Sequence, residues 1–76
     1  MNDLVSQIAK HLVDRPEEVM VRTVEGTNTM VLELYVNKSD VGKIIGKQGR
    51  TAHALRTLVG AVSSKINKRA VLEIIE

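Results

Sequence analysis

Apolar residues recur along the chain at two spacings, and each spacing predicts a different kind of element. Near the N-terminus the spacing is helical, and the apolar positions are Leu4, Val5, Ile8, Leu12 and Val13. Asn2 or Asp3 is suited to cap this helix. Pro16 ends it, because proline has no amide donor and clashes with the preceding turn. The first predicted element is therefore an amphipathic helix.

Residues 18–24 and 29–36 are rich in valine, methionine, leucine, threonine and tyrosine, which favour strands. In the second segment Met30, Leu32, Leu34 and Val36 alternate with Val31, Glu33 and Tyr35. A period of two predicts a strand with one buried face. Residues 25–28 (Glu-Gly-Thr-Asn) include two residues that tolerate positive φ, so the two strands are predicted to form a hairpin.

The second half of the chain predicts two helices and a last strand. Asn37, Ser39 and Asp40 are candidate caps for a short helix through Ile45, which Gly46 stops. A longer helix begins near Arg50. Its predicted buried stripe is Leu55, Leu58, Val59, Val62 and Ile66, and its polar side carries Arg50, His53, Arg56 and Lys65. Residues 70–75 are apolar and β-branched and predict the third strand.

The resulting order is α-β-β-α-α-β, without a linker, repeat or low-complexity segment. It predicts an α+β fold in which three helices pack on one face of a three-stranded mixed sheet. Residues 1–76 are expected to form a single domain, because 76 residues bury only one modest core. A chain of this size has little room for a large enzyme cleft.

Composition narrows the function classes further. The 43% hydrophobic and 26% charged content is that of a folded domain, and the chain has no cysteine for a disulfide or a thiolate ligand. His11 and His53 have no cysteine to join them as ligands, so we expect no metal site and no cofactor. No nucleophile, base and orienting group are recognisable in the sequence, so we expect no enzyme activity. No apolar run approaches the roughly 18 residues that span a bilayer, and the first 14 residues carry acids where a signal peptide is apolar. We therefore expect a cytoplasmic protein with no membrane contact.

Charge is distributed unevenly along the chain. Residues 1–40 hold seven acidic and four basic residues, and residues 41–76 hold seven basic and two acidic ones. No acid lies between Val41 and Leu72. A basic half indicates a polyanion-binding surface, although a solvated basic helix gives the same distribution.

The basic half contains a glycine-rich loop, residues 41–51, Val-Gly-Lys-Ile-Ile-Gly-Lys-Gln-Gly-Arg-Thr. A P-loop is excluded because three residues, not four, separate Gly42 from Gly46, and the spacing also excludes a dinucleotide fingerprint. What remains is a GxxG turn between two helices, in which glycines allow a ligand backbone to approach closely. The start of the next helix favours an anion, and Lys47 and Arg50 add positive charge. A bare GxxG sequence also fits a simple helix–helix turn.

In this helix and strand order, Ile45-Gly46-Lys47-Gln48-Gly49 resembles the signature of the KH domain in its type II arrangement. The whole chain resembles the small single-domain bacterial KH proteins of the KhpA family. The resemblance implies a non-catalytic single-stranded RNA-binding protein of low sequence specificity, an RNA chaperone or post-transcriptional regulator, with bases held in a shallow apolar groove. The RNA-binding residues that it implies are Val41, Lys43, Ile44, Ile45, Gly46, Lys47, Gln48, Gly49 and Arg50. Ile45 also fits a purely core position.

Two further features bear on the groove. Ala52 stands where many KH sequences have isoleucine, which predicts reduced packing beneath the loop. Tyr35 is the one aromatic residue of the chain, so the stacking platform of an RRM or an OB-fold is excluded.

Small side chains form a stripe on the long predicted helix: Ala54, Thr57, Gly60, Ala61 and Ser64. The stripe predicts a homodimer contact, although tight packing on the chain's own sheet is an alternative for the alanines. The family resemblance implies a second partner, a larger RNA-binding protein with a KH domain of its own. The alternative function is a KH-fold protein–protein interaction module or adaptor in a ribonucleoprotein complex, which has no need of the loop cations.

Overall fold

The computed structural model describes residues 2–75. Its helices and strands are α1 (Asn2–Leu12), β1 (Met20–Glu25), β2 (Thr29–Tyr35), α2 (Val41–Ile45), α3 (Arg50–Lys65) and β3 (Arg69–Ile75). The predicted α+β class and the order α-β-β-α-α-β are confirmed. Within residues 2–75, none of the helices has both the length and the apolar content to cross a membrane.

The three strands form a mixed sheet in the order β1-β2-β3. The hairpin strands β1 and β2 are antiparallel, and β3 lies parallel to β2 on its other side. The register aligns Thr23, Leu32 and Leu72 in one row across the sheet. Because side chains alternate between the two faces of a strand, this row and its neighbours two residues away face the helices.

The core lies between that face and the three helices. It consists of Val5, Ala9, Met30, Leu32, Leu34, Ile44, Leu55, Val59 and Leu72. In α1, the buried pair Val5 and Ala9 are four residues apart and lie one above the other on the helix. Leu4 and Leu12, predicted as part of the apolar stripe, are 42% and 36% exposed because this pair, and not they, faces the sheet.

Several element ends differ from the prediction by one or two residues. Pro16–Glu18 forms a 3-10 turn, so β1 begins at Met20 and not at residue 18. Proline is favoured at the start of such a turn because its φ is already fixed near the helical value. At the start of α1, the side-chain oxygen of Asn2 accepts a hydrogen bond from the Thr23 hydroxyl and so ties α1 to β1.

The buried stripe of α3 is rotated from the predicted one. The buried residues are Ala52, Leu55, Val59 and Ser63. Leu58 and Val62 are only half-buried, and Ile66 is 46% exposed and follows the end of the helix. These three residues form the neighbouring row along α3, because residues four apart stack on a helix surface.

Val62 and Ile66 line an open cleft between the start of α1 and the end of α3. The cleft measures about 620 Å³, and the other residues of its lining are Asn2, Asp3, Thr23, Glu25 and Met30. We call it the α1–α3 cleft. The α1–α3 cleft therefore leaves part of the sheet face uncovered. This explains why Val62 and Ile66, predicted to belong to the buried stripe of α3, are partly exposed.

Candidate nucleic-acid interface

Gly46–Gly49, which we call the clamp loop, reverses the chain between α2 and α3 by means of positive φ angles. Gly46 has φ 77° and ψ 173°, Gln48 has φ 58°, and Gly49 has φ 73°. The Gly46 amide donates to the Gly42 carbonyl at 2.9 Å, and the Gly49 amide donates to the Gly46 carbonyl at 3.1 Å. A Cβ atom on Gly46 would collide with the Thr51 side chain. The turn is thus compact, and Gly46 is required both for its dihedral angles and for its lack of a side chain.

The clamp loop presents its polar side chains to solvent. Lys47, Gln48 and Arg50 are all exposed. The Arg50 guanidinium donates a hydrogen bond from Nη2 to Gln48 Oε1 at 3.0 Å. Among residues 2–75, no carboxylate forms an ion pair with Lys47 or Arg50. Both cations are therefore available to an anionic ligand.

A shallow groove of about 450 Å³ runs from the clamp loop between α2, α3 and the free edge of β3. We call it the groove, and its lining is Val41, Ile45, Gly49, Ala52, Arg56, Ile74 and Ile75. Its volume lies within the range of ligand sites in proteins. Most of the lining is aliphatic, so the groove offers apolar contact next to a cationic loop.

Two groove residues clarify the expectations from the sequence. Ile45 is 39% exposed and belongs to the groove, so its alternative placement in the core is wrong. Ala52 is 3% exposed and forms part of the groove floor. A larger side chain at this position would fill part of the groove.

Arg56 was not among the residues implied as RNA-binding, and the structure places it in the groove. Its Nε donates to the Leu72 carbonyl oxygen at 3.4 Å, on the edge of β3 that does not pair with β2. Within residues 2–75, neither terminal nitrogen of the guanidinium forms a hydrogen bond or an ion pair. The sequence could have indicated this position of Arg56 through spacing. Arg56 follows Ala52 by four residues and therefore lies on the same face of α3.

Ile44 and Lys43, both implied as RNA-binding, lie apart from the groove. Ile44 is fully buried in the core. Lys43 is about 200° around α2 from Val41, and its ammonium is 3.1 Å from Asp14 Oδ2 and 3.8 Å from Asp40 Oδ1. The hydrogen bond that the Lys43 ammonium donates to the Asp14 carboxylate, together with the charges of both carboxylates, raises the pKa of Lys43.

Asp40 fixes α2 relative to the connection after α1. Its carboxylate is 1% exposed and accepts hydrogen bonds from the backbone amides of Asp14 at 3.2 Å and Arg15 at 3.1 Å. Asp40 stands at the predicted N-cap position of α2, but its side chain makes no capping hydrogen bond, because its carboxylate is bound to these two amides. Asn37 caps the 3-10 turn Lys38–Asp40 that precedes α2, since its side chain accepts from the Ser39 amide at 2.9 Å. Asp40 thus holds the helix that leads into the clamp loop.

The sequence matches the family model described as "KhpA/KhpB, KH domain" over residues 2–74. The chain belongs to this family. The resemblance predicted from the clamp loop and the element order is thereby confirmed, and the fold is that of a type II KH domain.

Named relatives of the family match nearly the full chain. A protein of Clostridium perfringens named "RNA-binding protein KhpA" is 55% identical over 75 residues, which cover 99% of this chain and 100% of that protein. Proteins of the same name from Chlamydia muridarum and Aquifex aeolicus are 54% and 51% identical over 76 residues, which cover 100% of this chain and 97% and 96% of those proteins. No solved structure matches the chain.

Two other surfaces of this KH domain bear on the interface. The α1–α3 cleft is larger than the groove, but Asp3 and Glu25 line it and would repel a polyanion. In the small-residue stripe of α3, Ala54, Thr57, Ala61 and Ser64 are exposed and Gly60 is half-buried. The alanines therefore do not pack on the chain's own sheet.

Proposed function

We propose that this KH domain is a non-catalytic RNA-binding protein that holds the backbone of single-stranded RNA on the clamp loop and its bases in the groove. One observation carries the proposal: two exposed cations flank a glycine turn that opens directly into an apolar groove. The relatives named "RNA-binding protein KhpA" support it.

On this proposal, the RNA backbone lies where glycines leave the main chain uncovered. Lys47 and Arg50 neutralise phosphates there, and the first amides of α3 favour negative charge at the same place. Ile45 contacts base faces through its exposed aliphatic surface, and Val41, which is buried, forms part of the groove floor. The groove has no aromatic side chain, so base stacking of the kind that RRM and OB-fold proteins use is absent and binding is weak and tolerant of sequence.

Arg56 adds a hydrogen-bonding group to this apolar surface. Because Leu72 holds its Nε, the terminal nitrogens present two parallel donors in a fixed plane. Such a fork suits a base with two adjacent acceptors, such as O6 and N7 of guanine or O2 and N3 of cytosine. Within a binding mode that is otherwise tolerant of sequence, this fork adds a modest preference for such bases. We expect the Arg56→Met variant to lose that preference, measured as the ratio of the affinities for different homopolymeric oligoribonucleotides, while the salt dependence of its affinity changes little.

The proposal is tested by replacing the polar side chains of the clamp loop. We expect Lys47→Asp combined with Gln48→Asp to weaken binding of a single-stranded oligoribonucleotide by about tenfold or more, because phosphate contacts dominate the affinity. Fluorescence anisotropy gives the dissociation constants, and circular dichroism and urea unfolding check the fold.

The chain offers a matched control on α1. Lys10 and Gln7 are exposed and lie outside the groove. The Lys10→Asp, Gln7→Asp variant changes the same residue types and the same net charge. If the clamp-loop variant is folded and binds RNA as well as this control does, the proposed clamp is wrong.

We also propose that the small-residue stripe forms a homodimer contact, which would give one RNA two clamp loops and so raise avidity. The exposure of the stripe supports this, because it leaves a surface that another helix can approach closely. A larger KH-containing RNA-binding protein would use the same stripe. Sedimentation of the Ala61→Glu variant tests the contact, and an unchanged dimer constant would contradict it.

A further inference from the structure

His53 lies on α3 between two arginines, three residues after Arg50 and three before Arg56. Residues three apart are neighbours on a helix surface, with about 5–6 Å between their Cβ atoms. All three side chains are exposed. Arg50 follows the clamp loop directly and Arg56 lines the groove, so the three residues form a continuous row from the clamp loop to the groove. We call this row the α3 ridge.

The fold makes no use of the His53 side chain. Within residues 2–75 its ring forms no hydrogen bond and no ion pair, and its main-chain carbonyl accepts from the Thr57 hydroxyl at 2.9 Å. The other histidine of the chain, His11, differs in this respect, because its Nδ1 lies 2.7 Å from the carbonyl oxygen of Gln7. The His53 ring is therefore available to a ligand.

His53 stands at the rim of the groove and not inside it. Ala52 forms part of the groove floor, and the next residue along a helix is rotated by about 100°. Arg56, which also lines the groove, is rotated by about 60° from His53 toward Ala52. The His53 side chain is thus placed beside the groove, where a strand whose bases enter the groove carries its phosphates.

The charged groups closest to the His53 ring along the chain and on the helix are cations. α3 contains no acid from Arg50 to Lys65, and the clamp loop before it adds Lys47. Among residues 2–75, no carboxylate forms an ion pair with Lys47 or with any residue of the α3 ridge. The surface around the ring therefore favours an anionic ligand.

The two elements that pack against α3 beyond the clamp loop, α2 and β3, place no free acid beside the ring. The titratable residue of α2, Lys43, is bound to Asp14 and Asp40. Those of β3, Arg69 and Glu73, lie on the sheet face opposite the helices, because side chains alternate along the strand.

The acids of the α1–α3 cleft are on the far side of α3. This cleft is lined by Asp3, Glu25 and Val62 among others. Val62 is nine residues from His53, so the two lie about 180° apart around the helix. Within residues 2–75, the charged groups that face the ring are therefore the cations of the clamp loop and the α3 ridge.

We propose that His53 is a phosphate-binding residue of the nucleic-acid interface and that RNA binding adds a proton to its ring. This inference rests on the proposed function, because the clamp loop has to place the RNA backbone beside α3. The backbone of the bound strand leaves the clamp loop along the α3 ridge, and its bases enter the groove beside it. Arg50 and the protonated His53 then contact phosphates.

The proton follows from the chemistry of the two groups. Imidazole ordinarily titrates near pH 6.5, so modest changes in its surroundings alter its charge at neutral pH. A phosphate beside the ring stabilises the positively charged imidazolium and not the neutral imidazole. The complex therefore binds the proton more tightly than the free protein does. By linkage, the affinity for RNA rises as the pH falls through this range.

The proposal is tested by measuring the RNA affinity of the full chain against pH. The probe is an oligouridylate without terminal phosphates that carries a pH-insensitive label, because neither its bases nor its phosphodiesters titrate between about pH 5.5 and 8. Fluorescence anisotropy at constant salt is expected to show about fivefold tighter binding at about pH 5.5 than at about pH 8. The slope of log K against log salt is expected to be steeper by up to about 0.7 at the lower pH, since one more phosphate is neutralised.

The chain offers a matched control, because both of its histidines are exposed. His53→Gln is expected to remove the pH dependence of the affinity and the change of salt slope. His11→Gln, on α1 and outside the groove, is expected to retain both. His53→Lys carries a permanent positive charge and is expected to bind at about pH 8 within about twofold of the wild type at about pH 5.5. Circular dichroism checks that each variant is folded.

The proposal is overturned if folded His53→Gln keeps the pH dependence of the wild type. It is equally overturned if His53→Gln weakens binding by the same factor at both pH values, since the contact would then need no proton. Failure of the proposed function has a separate signature: the folded Lys47→Asp, Gln48→Asp variant would bind RNA as well as its α1 control, whatever the pH profile of His53→Gln.

Discussion

Gly46 and Gly49 have nearly the same positive φ but different surroundings. The position of a Cβ atom on Gly46 is already occupied by Thr51, whereas nothing lies within 4 Å of one on Gly49. Gly46 also has ψ 173°, a combination that is essentially restricted to glycine.

We therefore expect Gly46→Ala to lower the free energy of unfolding by about 3 kcal/mol and Gly49→Ala by about 1 kcal/mol. Urea unfolding of both variants measures the difference. Equal losses would show that neither the Thr51 contact nor the ψ of 173° adds to the cost of the positive φ that both positions share.

Lys43 illustrates how a residue predicted to bind RNA has a second role in the fold. Asp14, and to a lesser extent Asp40, raise its pKa above the ordinary value of about 10.4. A raised pKa means that the folded state binds the proton more tightly than the unfolded state. The pair therefore stabilises the fold at neutral pH, and this contribution is lost as pH rises through the raised pKa.

We expect Lys43→Met to lower Tm slightly and by a constant amount from about pH 7 to 9, with the difference disappearing as the pH rises through the raised pKa of Lys43. The effect is small because the Lys43 side chain is 45% exposed and solvent screens the pair. Thermal melts across this pH range give the profile. A difference that persists wherever both proteins remain folded at high pH would assign the effect to packing of the methylene stem.

At the scale of the element, α3 packs against the sheet with one side and presents its other side to solvent or to a partner. Gly60 lies in its middle, half-buried, with open space where a Cβ atom would stand. The Ser63 and Ser64 hydroxyls both donate to its carbonyl, at 2.8 and 3.1 Å. Nothing within residues 2–75 therefore requires glycine at this position.

We expect Gly60→Ala to raise the free energy of unfolding by about 0.5–1 kcal/mol, the usual difference between glycine and alanine within a helix. If the stripe forms a close contact between two helices, the same variant also weakens self-association. Urea unfolding and sedimentation of this variant together test both statements. Greater stability with unchanged association would place the dimer contact elsewhere.

At the scale of the whole molecule, the clamp loop and the groove bring together three cations, Lys47, Arg50 and Arg56, that form no ion pair within residues 2–75. If about three phosphates are neutralised, log K should fall by about 2 per log unit of salt, so affinity should fall more than about tenfold from about 50 to 200 mM. Anisotropy titrations at several salt concentrations give this slope.

The same titrations distinguish the two lysines. Lys47→Met is expected to reduce the magnitude of the slope by about 0.7, whereas Lys43→Met is expected to leave it unchanged. A reduced slope for Lys43→Met would mean that RNA displaces Asp14 from the Lys43 ammonium.

The sequence by itself determined the elements, the hairpin and the clamp loop, because these depend on spacings and residue types within a few neighbours. Helical spacing shows which residues share a side of the helix, but it does not fix how the helix is rotated about its axis relative to the sheet. The buried side of α3 was therefore decided by packing against the sheet. Ile74 and Ile75 join Val41 and Ile45 in the groove because β3 pairs in parallel with β2.

Only the tertiary structure decided the partner of Lys43, because Asp14 is distant from it along the chain and is brought near through the Asp40 carboxylate. The same holds for Arg56, whose orientation depends on the carbonyl of Leu72 in another element. The alternation of β2 predicted which of its side chains lie on each face of the sheet, but the rows across the sheet required the register of all three strands. Contacts between elements distant in sequence are set by the free energy of the whole packed chain, which no local pattern contains.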